Sequence, residues 1–313
     1  MESLTDFQAQ WLDDKDFIVA HTSGSTGTPK EIHLPKADMV SSARATNHFF
    51  GITADAVLAL PLSLDYIAGK MMAVRAFEAG CRLLQLPVSN RFTITEPVDL
   101  LSVVPSQLEC LLGQPQAPQL VRNLLIGGAP LSDGLRRRVV AAGFNAYIGY
   151  GMTETCSHVA LQRLDSDGTY TAMPQVQFAL DHRNCLMIRS DRFTWKELIT
   201  NDVVELISPT QFRWLGRADH VINSGGVKIH PEQVEALIRR QLPELPPFYL
   251  IGKPHTTLGS EVVLVIEATQ PEADAILRRI AALTLPRYAH PRQAIAVASL
   301  PRTPNGKLRR LLP

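Results

Sequence analysis

The chain has 313 residues, 45% of them hydrophobic and 19% charged, a globular balance that excludes a disordered chain, a collagen and a coiled-coil rod. Lys and Arg number 31 against 30 Asp and Glu, so the net charge of +1 gives no reason to expect nucleic acid or an anionic membrane as the main partner. At about 150 residues per domain, the length predicts two domains.

No run approaches the roughly 18 consecutive apolar residues of a membrane-spanning helix. Glu2, Asp6, Asp13 and Asp14 precede the first apolar run, the reverse of a secretory signal, so the expected location is the cytoplasm, without membrane insertion. Residues 17–20 read as a buried strand running straight into a Gly/Ser/Thr loop. Residues 35–50 read as a helix, 56–60 as a strand stopped by Pro61, 69–79 as a helix and 81–86 as a strand. Residues 101–104 form a strand ended by Pro105, and 124–126 one ended by Gly127 and Gly128. A helix over 133–142 is capped by Ser132 and closed by Gly143, and 146–148 open the next strand.

This alternation predicts an α/β fold with a largely parallel sheet. From about Asn184 the texture changes to short strands, over 185–188, 198–199, 203–207 and 212–214, that read as a small β-rich subdomain. After a loop-like stretch with Gly216, Gly225 and Gly226, Pro231 opens an amphipathic helix with Val234, Leu237, Ile238 and Leu242 on one face. Strands over 248–251, 261–267 and 294–297 and a helix over 272–282 complete a closing module. The expected boundary lies near residue 218, giving domains 1–218 and 219–313. Cys81, Cys110, Cys156 and Cys185 match no zinc or redox spacing and read as reduced thiols.

The most informative segment is His21-Thr22-Ser23-Gly24-Ser25-Thr26-Gly27-Thr28-Pro29-Lys30. Glycines let the backbone approach an anion, successive N–H groups form an anion-binding nest, hydroxyls add donors and Lys30 adds charge, a combination suited to a polyphosphate. It is not a Walker A loop, because Lys30 follows Pro29 and precedes Glu31.

The string resembles the phosphate-binding loop of the adenylate-forming superfamily, which includes acyl-CoA synthetases, adenylation domains and luciferases. Further segments resemble that family in its chain order. Gly127-Gly128-Ala129-Pro130 is similar to its adenine-side turn, Tyr150-Gly151-Met152-Thr153-Glu154-Thr155 to its Tyr-Gly-x-Thr-Glu motif, and Thr200-Asn201-Asp202 to its Thr-Gly-Asp. Gly216-Arg217-Ala218-Asp219 is similar to its hinge, and residues 301–307 to the segment carrying its catalytic lysine. The resemblance implies that a large α/β domain, shortened at its N-terminus relative to the family, is followed by a mobile C-terminal α+β lid.

It also implies a two-step reaction. A carboxylate attacks the α-phosphate of ATP to give an acyl-adenylate, and a thiol, usually of coenzyme A, then displaces AMP. In this reading Ser23 to Lys30 hold the β- and γ-phosphates, Thr153 donates to the α-phosphate, Glu154 holds Mg²⁺ and Tyr150 offers its ring to adenine. Asp202 binds the ribose hydroxyls with Arg217 beside it, Lys307 bridges carboxylate and phosphate oxygens, Asp219 is the hinge, and Gly225 and Gly226 line the thiol channel.

Within the family, residues 150–158 and 216–226 look most like o-succinylbenzoate–CoA ligases of menaquinone biosynthesis. That substrate has two carboxylates, so the one not activated needs a cationic anchor. Arg75 is the first choice and Lys70 the second, with Tyr66, Ser157 and His158 lining the same pocket. The partner is then a small carboxylic acid, and a homo-oligomer is left open. Glu31 places a negative charge near the expected polyphosphate site. The competing expectations are an adenylating ligase for another aryl or short-chain acid, and a non-catalytic nucleotide-binding regulator.

Overall fold

The computed structural model describes residues 2–21, 31–302 and 308–313. The chain divides into two compact units, one of Met1–Ala179, Met187–Leu198 and Leu206–Arg213, the other of Leu180–Leu186, Ile199–Glu205 and Trp214–Pro313. Each has its own apolar core.

In the first unit, helix α1 (Leu4–Leu12) begins at Ser3, whose Oγ accepts from the Asp6 N–H at 3.1 Å while the Asp6 carboxylate accepts from the Ser3 N–H at 3.3 Å. This reciprocal cap satisfies two orphan donors, and the helix buries Phe7. Strands β1 (Phe17–His21) and β2 (Glu31–Pro35) form a separate antiparallel ribbon, with Phe17 opposite Pro35 and His21 opposite Glu31. The expected buried strand is therefore half-buried, with only Ile18 and Ala20 pointing inward.

Helix α2 (Lys36–Phe50) stops at Gly51, which takes the left-handed conformation that a residue with a Cβ resists. Then follow β3 (Val57–Leu60), α3 (Ile67–Ala79), β4 (Arg82–Gln85), β5 (Leu100–Val103), α4 (Leu108–Leu112), α5 (Ala117–Leu120), β6 (Leu124–Ile126), α6 (Asp133–Ala141) and β7 (Ala146–Gly151). Ser132 caps α6 as expected, its Oγ accepting from the Leu135 N–H at 3.2 Å. Beyond β7 the chain is almost all β: β8 (His158–Arg163), β9 (Thr169–Ala172), β10 (Val176–Leu180), β11 (Cys185–Ser190), β12 (Glu197–Ser208) and β13 (Gln211–Arg217).

These strands form a sheet in the order β10-β11-β12-β13-β9-β8-β7-β6-β5-β3-β4. Residues 180–186, 199–205 and 214–217 of its strands belong to the second unit. The run β7-β6-β5-β3-β4 is parallel, whereas β8 pairs antiparallel with both β7 and β9. The sheet is thus mixed rather than largely parallel, and the β-rich texture starts at His158, well before Asn184. From β3 the chain steps one way to β4, and from β5 the other way to β6 and β7. Right-handed crossovers then put α3 on one face and α4 and α6 on the other. The packing agrees, with α2 against α3 and α4 against α6.

In the second unit, β14 (Ile222–Ser224) and β15 (Val227–Ile229) form a hairpin, followed by α7 (Pro231–Gln241), β16 (Phe248–His255), β17 (Gly259–Glu267), α8 (Gln270–Ala281) and β18 (Gln293–Val297). Strand β17 pairs antiparallel with β16 and parallel with β18. Side chains alternate across this sheet. Phe248, Leu250, Val262, Leu264 and Ile266 pack on one face with Val234 and Ile238 of α7 and Ala273, Ile276 and Ile280 of α8. Tyr249 and Val265 on the other face pack with Leu300 and Leu308.

Candidate active site

Parallel α/β sheets bind ligands beyond the carboxyl ends of their strands, near the point where the chain reverses its direction across the sheet. Here that point lies between β3 and β5. The segments leaving those ends are 61–66 after β3, Val104 after β5, 127–130 after β6 and the turn after β7.

Gly128 has φ +84°, and a Cβ there would meet Val104 Cγ1 at 3.1 Å, so both the turn and its close approach to the β5 exit favour glycine. Ala129 and Pro130 follow it, half-buried and exposed. The Tyr150 ring meets Phe212 edge-on, centroids 5.0 Å apart, with Tyr170 at 5.8 Å.

Gly151 pairs with His158 across a register shift, and a Cβ on Gly151 would lie 2.1 Å from the Ser157 carbonyl oxygen. Only glycine lets the two strands close this tightly. The turn between them is braced by Thr155, whose hydroxyl accepts from the Met152 N–H at 2.9 Å and donates to the Ser157 carbonyl at 2.7 Å. Thr153 and Glu154 ride on that brace in a short 3₁₀ turn, Glu154 with its carboxylate exposed. One exposed carboxylate suits Mg²⁺, which takes one or two carboxylates plus phosphate oxygens. Among the described residues no group of three or more metal-ligating side chains occurs. Cys156, at φ +61°, is buried, and burial pushes its thiol up to about 12, so it stays protonated.

Behind the turn the structure joins Arg75, Ser157 and His158. Arg75 is buried on α3, and its Nη2 donates to Ser157 Oγ at 2.5 Å. The Ser157 hydroxyl lies 3.2 Å from His158 Nδ1, and His158 Nε2 lies 3.2 Å from Thr46 Oγ1. Thr46 donates to the Ser42 carbonyl at 3.0 Å, so it accepts from His158. The network therefore assigns the proton of a neutral ring to Nε2, leaving Nδ1 to accept from Ser157. Burial, then the charges of Arg75 and Arg192, hold the His158 pKa well below the ordinary histidine value. Burial also lowers the Arg75 guanidinium to about 10, and its Nε has no partner. Arg75 makes no ion pair among the described residues.

Lys70 and Tyr66 are not brought to this group. The Lys70 ammonium pairs with Glu2 and sits over the Phe7 ring, 4.8 Å from its centroid, so the N-terminal helix region already neutralises it. Tyr66 stands exposed just before α3. A cavity of about 570 Å³ lies against the outward face of α2, with Arg192 in its wall, and holds none of the expected site residues.

In the second unit, Asp202 Oδ1 accepts from Trp214 Nε1 at 3.1 Å and lies 3.8 Å from Arg217 Nη1. Arg217 forks onto Asp219 at 3.0 and 3.1 Å. Burial works against the Asp219 carboxylate, but that fork holds it below its usual range. Asn201 turns outward and accepts from Arg183 at 3.0 Å. Gly225 and Gly226, at φ +58° and +79°, form the two-residue turn between β14 and β15, which needs positive φ at both positions. A Cβ on Gly225 would also press on the Tyr288 ring at 3.2 Å.

Thr22, Ser23, Gly24, Ser25, Thr26, Gly27 and Lys30 of the phosphate loop lie outside the described residues, as does Lys307. Glu31 is described, and its exposed carboxylate lies 2.9 Å from His33 Nε2. The sequence reading missed Thr46 and Asn47, which hold His158 and, through a 2.9 Å bond from Asn47 Nδ2, the Arg75 carbonyl. Their signal was there: Ser42, Thr46 and Asn47, with Asp38, stand among Met39, Ala43 and Phe50 on the inward face of α2. Trp214 and Arg192 carried no comparable signal.

The AMP-binding enzyme family matches residues 3–183. A probable 2-succinylbenzoate–CoA ligase of Mycobacterium tuberculosis is 30% identical over 326 residues, covering 96% of this chain and 84% of that protein. The 2-succinylbenzoate–CoA ligase of Enterococcus faecalis is 24% identical over 93% of this chain and 67% of its own length. Among solved structures, an acyl-CoA synthetase (AMP-forming)/AMP-acid ligase II-like protein from Dyadobacter fermentans superposes with TM-score 0.65 at 33% identity, over 97% of this chain and 90% of that one. The o-succinylbenzoate coenzyme A synthetase of Bacillus subtilis, solved with ATP and magnesium, gives TM-score 0.76 at 22% identity, over 93% of this chain and 68% of that one. The chain belongs to the AMP-binding enzyme family.

Proposed function

We propose that this protein is an ATP-dependent acid–CoA ligase that activates 2-succinylbenzoate as its acyl-adenylate and passes the acyl group to coenzyme A. The observation that carries the substrate is Arg75: a buried guanidinium with no carboxylate partner among the described residues, hydrogen-bonded to Ser157 beside the Thr153–Glu154 turn. A buried cation without an anion is costly, and a ligand carboxylate would remove that cost. The neutral His158 supports the same reading, because it braces Ser157 without adding a second charge.

The substrate's non-reacting carboxylate binds Arg75, which leaves the other free to attack the α-phosphate. Thr153 donates to that phosphate, and Lys307 supplies charge to the pentacoordinate transition state as pyrophosphate leaves. Glu154 is the residue to hold Mg²⁺, which would neutralise phosphate oxygens when bound. Asp202, fixed by Trp214, accepts from the ribose hydroxyls. The coenzyme A thiol then attacks the acyl carbonyl past Gly225 and Gly226, and AMP leaves.

The test is AMP release with ATP, Mg²⁺, coenzyme A and a panel of acids. 2-Succinylbenzoate should be the best substrate, well ahead of 3-benzoylpropionate, which lacks the ring carboxylate. Arg75→Ala should raise the KM for 2-succinylbenzoate about 30-fold or more and abolish the preference between the two acids. An unchanged KM removes Arg75 as the anchor, and ATP binding without AMP from any acid favours a nucleotide-binding regulator.

A further inference from the structure

The residues that follow Lys307 are fastened to the second unit more firmly than a chain terminus needs to be. Leu308 packs against Tyr249, Val265 and Leu300. It bridges antiparallel to Arg302, and the Arg309 N–H donates to the Pro301 carbonyl at 2.8 Å, so both flanks of 303–307 are held to each other. Arg310 then reaches back across β16. Its guanidinium forks onto Glu235 of α7, the Nη2–Oε2 arm at 2.9 Å, donates to the Leu250 carbonyl at 2.9 Å and lies 3.5 Å from Glu232. Glu235 in turn accepts from the Leu250 N–H at 2.7 Å. The Tyr249 hydroxyl donates to the Leu311 carbonyl at 2.5 Å and accepts from the Leu311 N–H at 3.3 Å. Glu232 also takes His220 Nδ1 at 2.6 Å, so the chain of contacts runs from the turn holding Asp219 to the tail.

We propose that Arg310, locked between Glu235 and Glu232, is a positioning residue that fixes the tail immediately after Lys307 and so sets where that ammonium can reach. This rests on the adenylation role given above to Lys307. Without the fork and the Tyr249 hydroxyl the tail is held only through Leu308 and the Arg309–Pro301 bond, and misplacing a transition-state charge by about 1 Å is enough to cost a large factor in rate. The Arg310 fork and the Tyr249 hydroxyl add bonds that fix its register.

The test separates the two half-reactions. Adenylation is read as ATP–pyrophosphate exchange with 2-succinylbenzoate, and thioester formation as transfer from preformed 2-succinylbenzoyl-adenylate to coenzyme A. Hydrogen exchange of the peptide spanning 308–313 reports whether the tail is held. The main variant is Arg310→Gln with Glu235→Gln, which removes the buried charges together and keeps polar partners for Leu250. Tyr249→Phe, a single lost hydroxyl, is the second variant should the first not fold. Either should speed tail exchange and lower adenylation, about tenfold for the double variant, with thioester formation within about twofold of the parent.

Faster tail exchange with adenylation within about twofold of the parent would overturn the proposal, as would equal loss in both half-reactions. Lys307→Ala is the control. It should lower adenylation about a hundredfold or more. If it leaves adenylation intact, the role of Lys307 fails, whereas a large Lys307→Ala effect with silent Arg310 and Tyr249 variants sinks only the positioning.

Discussion

Arg75 and Lys70 sit five residues apart on α3, about 140° around the helix at 3.6 residues per turn. That arc sends the two cations to different surroundings. Lys70 meets Glu2 and the Phe7 ring, while Arg75 meets Ser157, with His158 behind it. Sequence ranked them side by side because each is a long cation on the same segment; what separates them is a carboxylate 68 residues earlier in the chain, which local reading does not reach. His158 gives this cluster a pH signature. Its folded pKa is lowered from 6.5, so below 6.5 the unfolded chain binds a proton that the folded chain refuses. The contribution is intact above that pH and lost as pH falls through it, at about 1.4 kcal/mol per pH unit. Melting temperature should therefore drop between pH 6.5 and 5, and His158→Gln should flatten that drop. A parallel fall in both proteins would place the acid sensitivity elsewhere.

Elements whose limits are written in local chemistry were legible. Helix α6 runs from its Ser132 cap, α7 from Pro231 to Gln241, and the parallel strands β5 and β6 stop two residues before Pro105 and one before Gly127. The missed elements are α1, β2, α4, α5, β8 to β10, β14 and β15, and for β2 and β8 the physical cause is plain. The pairing of β2 is set across the loop from β1, and β8 carries five consecutive buried residues, a run with no period to separate strand from helix. The Thr-Glu motif was recognisable without the β7–β8 hairpin that holds it. That hairpin is strict about one position. Gly151→Ala places a methyl group 2.1 Å from the Ser157 carbonyl oxygen, a backbone atom that cannot swing aside. Overpacking of this kind should cost about 2 kcal/mol in stability. Because the strain falls on the turn carrying Thr153 and Glu154, ATP–pyrophosphate exchange should fall as well. Gly134→Ala on α6, where a Cβ meets nothing within 4 Å, is the matched control that should leave the exchange rate near the parent and not lower the melting temperature. Equal melting temperatures for the two variants would mean the hairpin relaxes more freely than its register implies.

For the whole molecule, the chain passes between the two units repeatedly, at 179/180, 186/187, 198/199, 205/206 and 213/214, so no single cut separates them. The apolar core of the second unit is nevertheless local. Its helix-covered face draws on Ile222 to Ala294, and its tail-covered face on Tyr249, Val265, Leu300 and Leu308, all after residue 218. Segments 180–186 and 199–205 supply none of those side chains. A fragment of residues 219–313 should therefore fold alone: a sheet covered on both faces meets the needs of a small domain, although at this size the margin is a few kcal/mol. Ending the fragment at 301 should undo it, because removing Leu308 and the Tyr249–Leu311 bonds strips the second face. Circular dichroism and amide NMR dispersion decide the matter. A cooperative melt for 219–313, with collapse of dispersion for 219–301, is the expected pair of results. A fragment 219–313 that binds hydrophobic dye and melts without a transition would show that strands before residue 218 are needed to complete this core.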